Sequence, residues 1–327
     1  MLKIIGMVAF AFLVSTFGLP ASAQPNQKIY RIGTLLPGAA DTDQFMTWFR
    51  AGMQDLGYGE GRDYVLISRW TRDNRKRVPA LAKELVGQKV DVILTRGSLQ
   101  TKALQKATKS IPIVVGSSGA LRRFVKSLAQ PGGNITGLTY NSRAIHTKRL
   151  SLLKAALPGA RRVAFLSFSA GNLAGRLKRD LKRLKAAGLA QGIDILPYSA
   201  TTLGAAEKVF RSMAGGMADA VIINNEQFSH FNQRSLASLA VANKVPTVCD
   251  PVSFAREGCL ISYAPDRTAM ARRAAAYVHK ILKGATPANL PVEISTKYHL
   301  VVNSKTAKTI GVTLPAAILL LADEVIQ

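Results

Sequence analysis

The chain has 327 residues, 44 Lys and Arg against 19 Asp and Glu, a formal charge of +25, and only two cysteines and four histidines. That length favours two lobes over one hydrophobic core. The sparse Cys and His content gives no zinc-ligand spacing and excludes a disulfide-dense scaffold.

The first residues, MLKIIGMVAFAFLVSTFGLPASAQ, hold one basic residue, an apolar run from Ile4 to Leu19, and Ala21-Ser22-Ala23. This pattern predicts a signal peptide over residues 1–23, cleaved to leave Gln24 as the mature start. The apolar run is short for the roughly 20 residues that span a bilayer. Cleavage takes 23 residues and the charge of Lys3 from the 327-residue, +25 chain, leaving 304 residues and +24. An exported, soluble, periplasmic protein is expected.

Beyond Gln24, strand and helix signals alternate. Tyr30–Gly38 reads as a buried strand ending in a Pro-Gly turn, and the run from Phe45 as a helix stopped near Gly57. Two more strand and helix pairs and a further strand opening into a Gly/Ser loop follow, closing at Pro131-Gly132-Gly133-Asn134 before another strand. The rhythm restarts at Arg161 and continues to Asp266; then come a long amphipathic helix and the stretch TKYHLVVNSKTAKTIGVTLP (296–315). Continuous apolar strands without alternation suit a parallel sheet covered on both faces. The expected fold is α/β: two doubly wound parallel-sheet lobes joined by a multi-strand hinge, with YHLVVN as a third crossing strand. The lobes are read as 24–138 plus 265–298, and 139–264 plus 299–327.

The basic runs RWTRDNRKR (69–77) and RLKRDLKRLKAAG (176–188) raise nucleic acid as a partner. In the second, Leu177, Leu181 and Leu184 recur at helical spacing with Arg and Lys elsewhere, the pattern of a solvated amphipathic helix. Nucleic-acid binding is therefore not expected. Cys249 is placed at the end of one strand and Cys259 at the start of the next parallel one, which favours two unbridged cysteines over a disulfide.

No G-x-S-x-G elbow, P-loop or G-x-G-x-x-G occurs; GSSG (116–119) has the wrong spacing. The histidines are scattered, and the carboxylates at Asp41, Asp43, Glu226 and Asp250 form no catalytic pair. No catalytic residue, metal or cofactor is expected. Small polar groups do gather at predicted strand ends, where open α/β sheets bind ligands. They are Ser98, Thr101, Ser117 and Ser118 in the first half, and Ser169, Asn172, Asn225, Glu226 and Asp250 in the second. Ser98 and Thr101 open a helix whose free N–H groups favour an anion such as a carboxylate. Glu226 or Asp250 would pair with an ammonium. Each residue singly also suits helix capping.

AQPGGNITGL (129–138), RRAAAYVHKILKGATPANLPVE (272–293) and TKYHLVVNSKTAKTIGVTLP followed by ADEVI (322–326) carry a resemblance across nearly all of the mature chain. It is to the substrate-binding proteins of ABC transporters with the type I periplasmic-binding-protein fold. The resemblance implies a monomeric receptor that closes over a small polar ligand, such as an amino acid, and delivers it to a permease in the inner membrane. A periplasmic sensor subunit for a signalling receptor needs the same clamp and stays open as the alternative. The chain departs from the family at the ligand loops: Arg96 replaces a small residue, SSGALRRF is short, LSFSAGN (166–172) replaces a Trp-Asn-Pro-like segment, and Asn225 stands where Asp is common.

Overall fold

The computed structural model describes residues 28–40, 43–72, 74–168, 176–224 and 226–327. The expected signal peptide lies outside them. Thirteen strands are present among the described residues. Those of the first half are β1 (Tyr30–Leu36), β2 (Tyr64–Trp70), β3 (Val92–Arg96), β4 (Ile113–Ser117) and β5 (Ile135–Tyr140). The second half adds β6 (Arg162–Ser167), β7 (Asp194–Ser199), β8 (Ala220–Ile223), β9 (Thr247–Cys249), β10 (Ile261–Pro265), β11 (Glu293–Ser295), β12 (Tyr298–Asn303) and β13 (Glu324–Ile326).

They form two sheets, β11-β5-β4-β3-β1-β2 and β13-β12-β10-β9-β8-β6-β7. The first sheet is wholly parallel. In the second, only β10 and β12 run antiparallel. The central strands β3, β4, β6 and β8 are largely apolar and buried because each sheet is covered on both faces. Successive side chains alternate between two cores. Ile32, Val92, Leu94 and Val114 enter one, while Leu35, Ile93, Ile113 and Val115 enter the other. The second sheet repeats the arrangement, with Val163, Phe165 and Ile222 on one side and Ala164, Leu166 and Val221 on the other.

The helix Arg267–Leu282 follows a strand of the second sheet but packs in the first lobe, with Ala271, Ala274 and Val278 joining Phe49 and Met53 of the helix Gln44–Asp55. A small residue is needed at that crossing, since a Cβ on Gly52 would lie 2.9 Å from the Arg272 Cα. The chain therefore passes between the lobes three times: from β5 into the helix Ser142–Ala156, from β10 into Arg267–Leu282, and from β11 into β12. These crossings are stitched together. Asp266 N–H donates to Lys297 O at 3.0 Å, Asn141 N–H donates to Tyr298 Oη at 3.3 Å, and the Tyr263 and Tyr298 rings stack with centroids 5.4 Å apart. Three tied strands limit relative motion to opening and closing about one axis.

The closing stretch folds as its capping residues dictate. Asn303 accepts from Thr306 N–H to start the helix Ser304–Ile310, and Gly311 ends it in the left-handed region at φ +77.

One expectation is corrected. Cys249 and Cys259 form a disulfide, with Cα atoms 6.5 Å apart. The contrary reading treated both as ends of long straight strands. Instead β9 is three residues long, and the chain turns at Gly258 (φ +116), so Cys259 N–H donates to Phe254 O. Cys259 thus precedes the β10 ladder and lies against β9 rather than at its far end.

Candidate functional site

A cleft of about 530 Å³ separates the lobes, within the range typical of small-molecule sites. The first lobe contributes the loop after β1 (Pro37, Gly38, Ala39), the start of the helix Gln44–Asp55, and Arg96 at the end of β3. The second contributes His230, Phe231 and the segment Pro251–Ser253 after β9. Pro265, Asp266, Arg267 and His299 close the hinge side. The walls therefore lie beyond the carboxyl ends of strands from both sheets, where α/β folds bind ligands. The lobes touch across it: a Cβ on Gly38 would stand 2.8 Å from Phe231 Cζ.

A largely buried ionic cluster runs from the wall, at Asp43, Arg96 and Arg267, inward to Asp250 and Arg149. Asp43 caps its helix by accepting from Phe45 N–H at 2.9 Å, and its other oxygen pairs with Arg96. The Arg96 guanidinium also lies 4.8 Å from the Phe45 ring centroid, a cation–π contact. Asp250, in the second lobe, takes Arg149 at 2.6 Å and Arg267 at 2.8 Å. Arg149 is 1% exposed and also donates to Tyr263 O at 2.7 and 2.9 Å. Burial alone would raise the Asp250 carboxyl pKa, but Arg267 and Arg149 outweigh it and hold the group below the usual carboxylate range. His230 is pushed down to about 4, first by burial and then by Arg267 and Arg96, with Asp250 opposing. It faces the cleft as a neutral imidazole at pH 7.

The expected site residues take other places. Ser98, Ser117 and Ser118 do gather at the ends of β3 and β4, with Ser98 Oγ 3.4 Å from Ser118 Oγ. Thr101 donates to Gly97 O at 2.7 Å, and Ser118 Oγ accepts from Ala120 N–H at 3.3 Å. Glu226 accepts from Phe168 N–H at 3.2 Å and Asn224 Nδ2 at 2.8 Å, and forms a capping box with Ser229. Asp250 lies in the ionic cluster. None of these six belongs to the cleft wall. Ser169, Asn172 and Asn225 lie outside the described residues.

Sequence reasoning passed over Arg96, Arg267, Asp43 and His230 as site residues. Arg96 did carry a signal, as a long cation in a strand-end loop of small polar residues. Arg267 carried none, because only the return of its helix to the first lobe brings it opposite Arg96.

Among the described residues there is no cluster of His, Cys, Asp and Glu able to hold a metal ion. Likewise among them, no helix is long and apolar enough to cross a membrane.

Comparison with known proteins agrees with this architecture. Residues 40–326 match a family model described as ABC transporter substrate binding protein. The tyrosine-binding protein of Clostridioides difficile is 21% identical over 270 residues, covering 82% of this chain and 76% of that one. A conserved domain protein from Vibrio cholerae superposes with a TM-score of 0.81 at 24% identity, covering 91% of this chain and 100% of the other. A Streptococcus pneumoniae ABC domain in complex with L-Trp gives a TM-score of 0.81 at 22% identity, with the same two coverages.

Proposed function

Because the chain belongs to the family of ABC transporter substrate binding proteins, we propose that it is the exported receptor of an importer, closing over a small polar ligand and presenting it to an inner-membrane permease. The observation that carries this reading is the cleft itself. Its walls come from both lobes, and three tied crossings leave opening and closing as the low-energy motion. A ligand that touches Arg96 on one side and Phe231 on the other gains contacts only when the lobes are together. It therefore shifts the equilibrium by its differential affinity for the closed state.

The ligand class proposed is an amino acid or related compound. The wall combines apolar and aromatic surface (Trp48, Phe231, Pro37, Val252) with the guanidinium groups of Arg96 and Arg267. The names of two relatives, one tyrosine-binding and one holding L-Trp, agree with that class. The predicted signal peptide supports a periplasmic location.

The test is a thermal-shift screen of protein from Gln24 onward, refolded to strip carried-over solute, against amino acids, organic acids, sugars and nucleobases. Ligand at one hundred times its Kd stabilises the folded state by about 2.7 kcal/mol. A hit recovered chemically unchanged after incubation supports a receptor. Turnover of the hit, or stabilisation by sugars or nucleobases alone, overturns the reading.

A further inference from the structure

The ionic cluster at the cleft wall does not balance among its direct pairs. Through direct pairs, Arg96, Arg149 and Arg267 set three positive charges against the two negative charges of Asp43 and Asp250, while Asp266 on the same wall meets His299 rather than an arginine. His230 supplies no charge, being neutral at pH 7. Buried charges of one sign without a counter-charge are costly, and an uncompensated guanidinium is not relieved by deprotonation. The hydrogen bonds are incomplete at the same place. The Nε–H of Arg96 and the Nε–H of Arg267 are both buried and have no acceptor among the described residues. Their side chains are 11% and 20% exposed, and both residues form part of the cleft wall. One Nη of each is already committed, to Asp43 and to Asp250.

We infer that Arg96 and Arg267 together form the anion anchor of the cleft, and that the ligand is a monocarboxylate with an apolar or aromatic body, recognised without need of an ammonium group. A carboxylate seated on the exposed edges of both guanidinium groups would cancel the surplus charge of these pairs, in the charge-assisted geometry that guanidinium groups favour. Trp48 and Phe231 provide the surface for the body. An ammonium would have to share carboxylates that are already engaged. Of the carboxylates on the wall, Asp43 is held by Arg96 and Glu324 by Arg256. Asp266 caps the Arg267 helix through Ala269 N–H and meets His299 at 3.2 Å. This places the anion contact on Arg96 and Arg267 rather than on the helix N-terminus at Ser98 and Thr101, and it rests on the receptor reading above.

The experiment is a calorimetric titration of the refolded protein with three matched series. Hydrocinnamate, desaminotyrosine, indolepropionate and isocaproate carry the carboxylate alone. Phenylalanine, tyrosine, tryptophan and leucine carry both groups, and phenethylamine, tyramine, tryptamine and isoamylamine the ammonium alone. The expected result is that at least one carboxylate binds within about threefold of its amino acid or tighter, while its amine shows no heat. Arg96→Gln should then weaken that carboxylate by roughly 30-fold or more, with the far-UV spectrum and thermal midpoint showing a folded protein. Binding of an amino acid with its desamino counterpart more than about 30-fold weaker overturns this inference and leaves the receptor reading intact. Amines binding alone, or silence in all three series, overturns this inference and leaves the receptor reading to the wider thermal-shift screen. Carboxylate binding unaffected in the folded Arg96→Gln protein removes Arg96 as the anchor.

Discussion

Asp250, just past β9 in one lobe, accepts a 2.8 Å hydrogen bond from Arg267, the first residue of a helix in the other. The same carboxylate accepts from Arg149 at 2.6 Å, and all three groups are largely buried. A shared carboxylate thus joins the two lobes beside the hinge. It positions Arg267 on the cleft wall while keeping its Nε–H clear of a protein acceptor.

Replacing Asp250 with Asn removes the counter-charge from two buried guanidinium groups at once. Removing one partner of a buried pair costs about 3–5 kcal/mol, most of it from the cation left behind. We expect Asp250→Asn to lower the urea unfolding midpoint accordingly. Adding Arg149→Met should recover part of the loss, because the two changes meet in one network and are not additive. Equal stability of Asp250→Asn and the parent would show that the cluster holds no folding energy.

His230 gives a defined pH dependence. Its folded pKa of about 4 lies below the ordinary histidine value near 6.5. Between those values the unfolded chain binds a proton that the folded one does not. Its contribution is therefore fully present above about 6.5 and is lost as pH falls toward 4, by at most ~3 kcal/mol. Asp250 also acts in the acid direction, but only below the ordinary carboxylate range, since its pKa is depressed. Thermal midpoints of the parent protein should fall from pH 7 to pH 4.5, and His230→Gln should flatten that slope. An unchanged slope would place His230 in water.

Gly38 meets Phe231 where the lobes approach most tightly. Its φ of +76 is left-handed, and an added Cβ would press on the Phe231 ring at 2.8 Å. Gly38→Ala should cost about 1–2 kcal/mol locally. It should also bias the clamp open, weakening ligand affinity by roughly tenfold, or about 1.4 kcal/mol. Small-angle scattering at saturating ligand reads the bound state directly. The variant should match the parent's radius there but require more ligand to reach it. Affinity equal to the parent's would show that closure does not press these residues together.

The disulfide closes a loop of sequence separation 10 between β9 and β10. Loop-closure entropy for a ring of that size gives about 2.5–3 kcal/mol. Cys249→Ala/Cys259→Ala should lose that amount in guanidinium unfolding. Ligand affinity should stay near the parent's, because neither sulfur is on the cleft wall. A tenfold loss of affinity would tie the bridge to the position of Asp250, its neighbour in sequence.

The sequence alone determined the layered α/β architecture, because it rests on local information. Continuous apolar strands specify sheets covered on both faces, and Asn303 with Gly311 marks the ends of a helix wherever it lies. Chain length and the restart of the strand and helix rhythm at Arg161 gave the two-lobed form, and the family's closing segments agreed with it. The cleft wall was decided only in three dimensions. Ser98, Thr101, Ser117 and Ser118 stood at the right strand ends, yet short hydroxyls find local partners as readily as ligands, and here those of Ser98, Thr101 and Ser118 do. Arg96 and Arg267 are 171 positions apart in the sequence. They face one cleft because a helix that follows a strand of one sheet packs on the other, a choice made by the apolar contact of Ala271, Ala274 and Val278 with Phe49 and Met53. The pairing of Cys249 with Cys259 likewise depended on a turn at Gly258 rather than on spacing. Helix and strand ends are set by neighbours in sequence. Charge pairing and burial are set by neighbours in space, and those followed only from how the chain crosses its hinge.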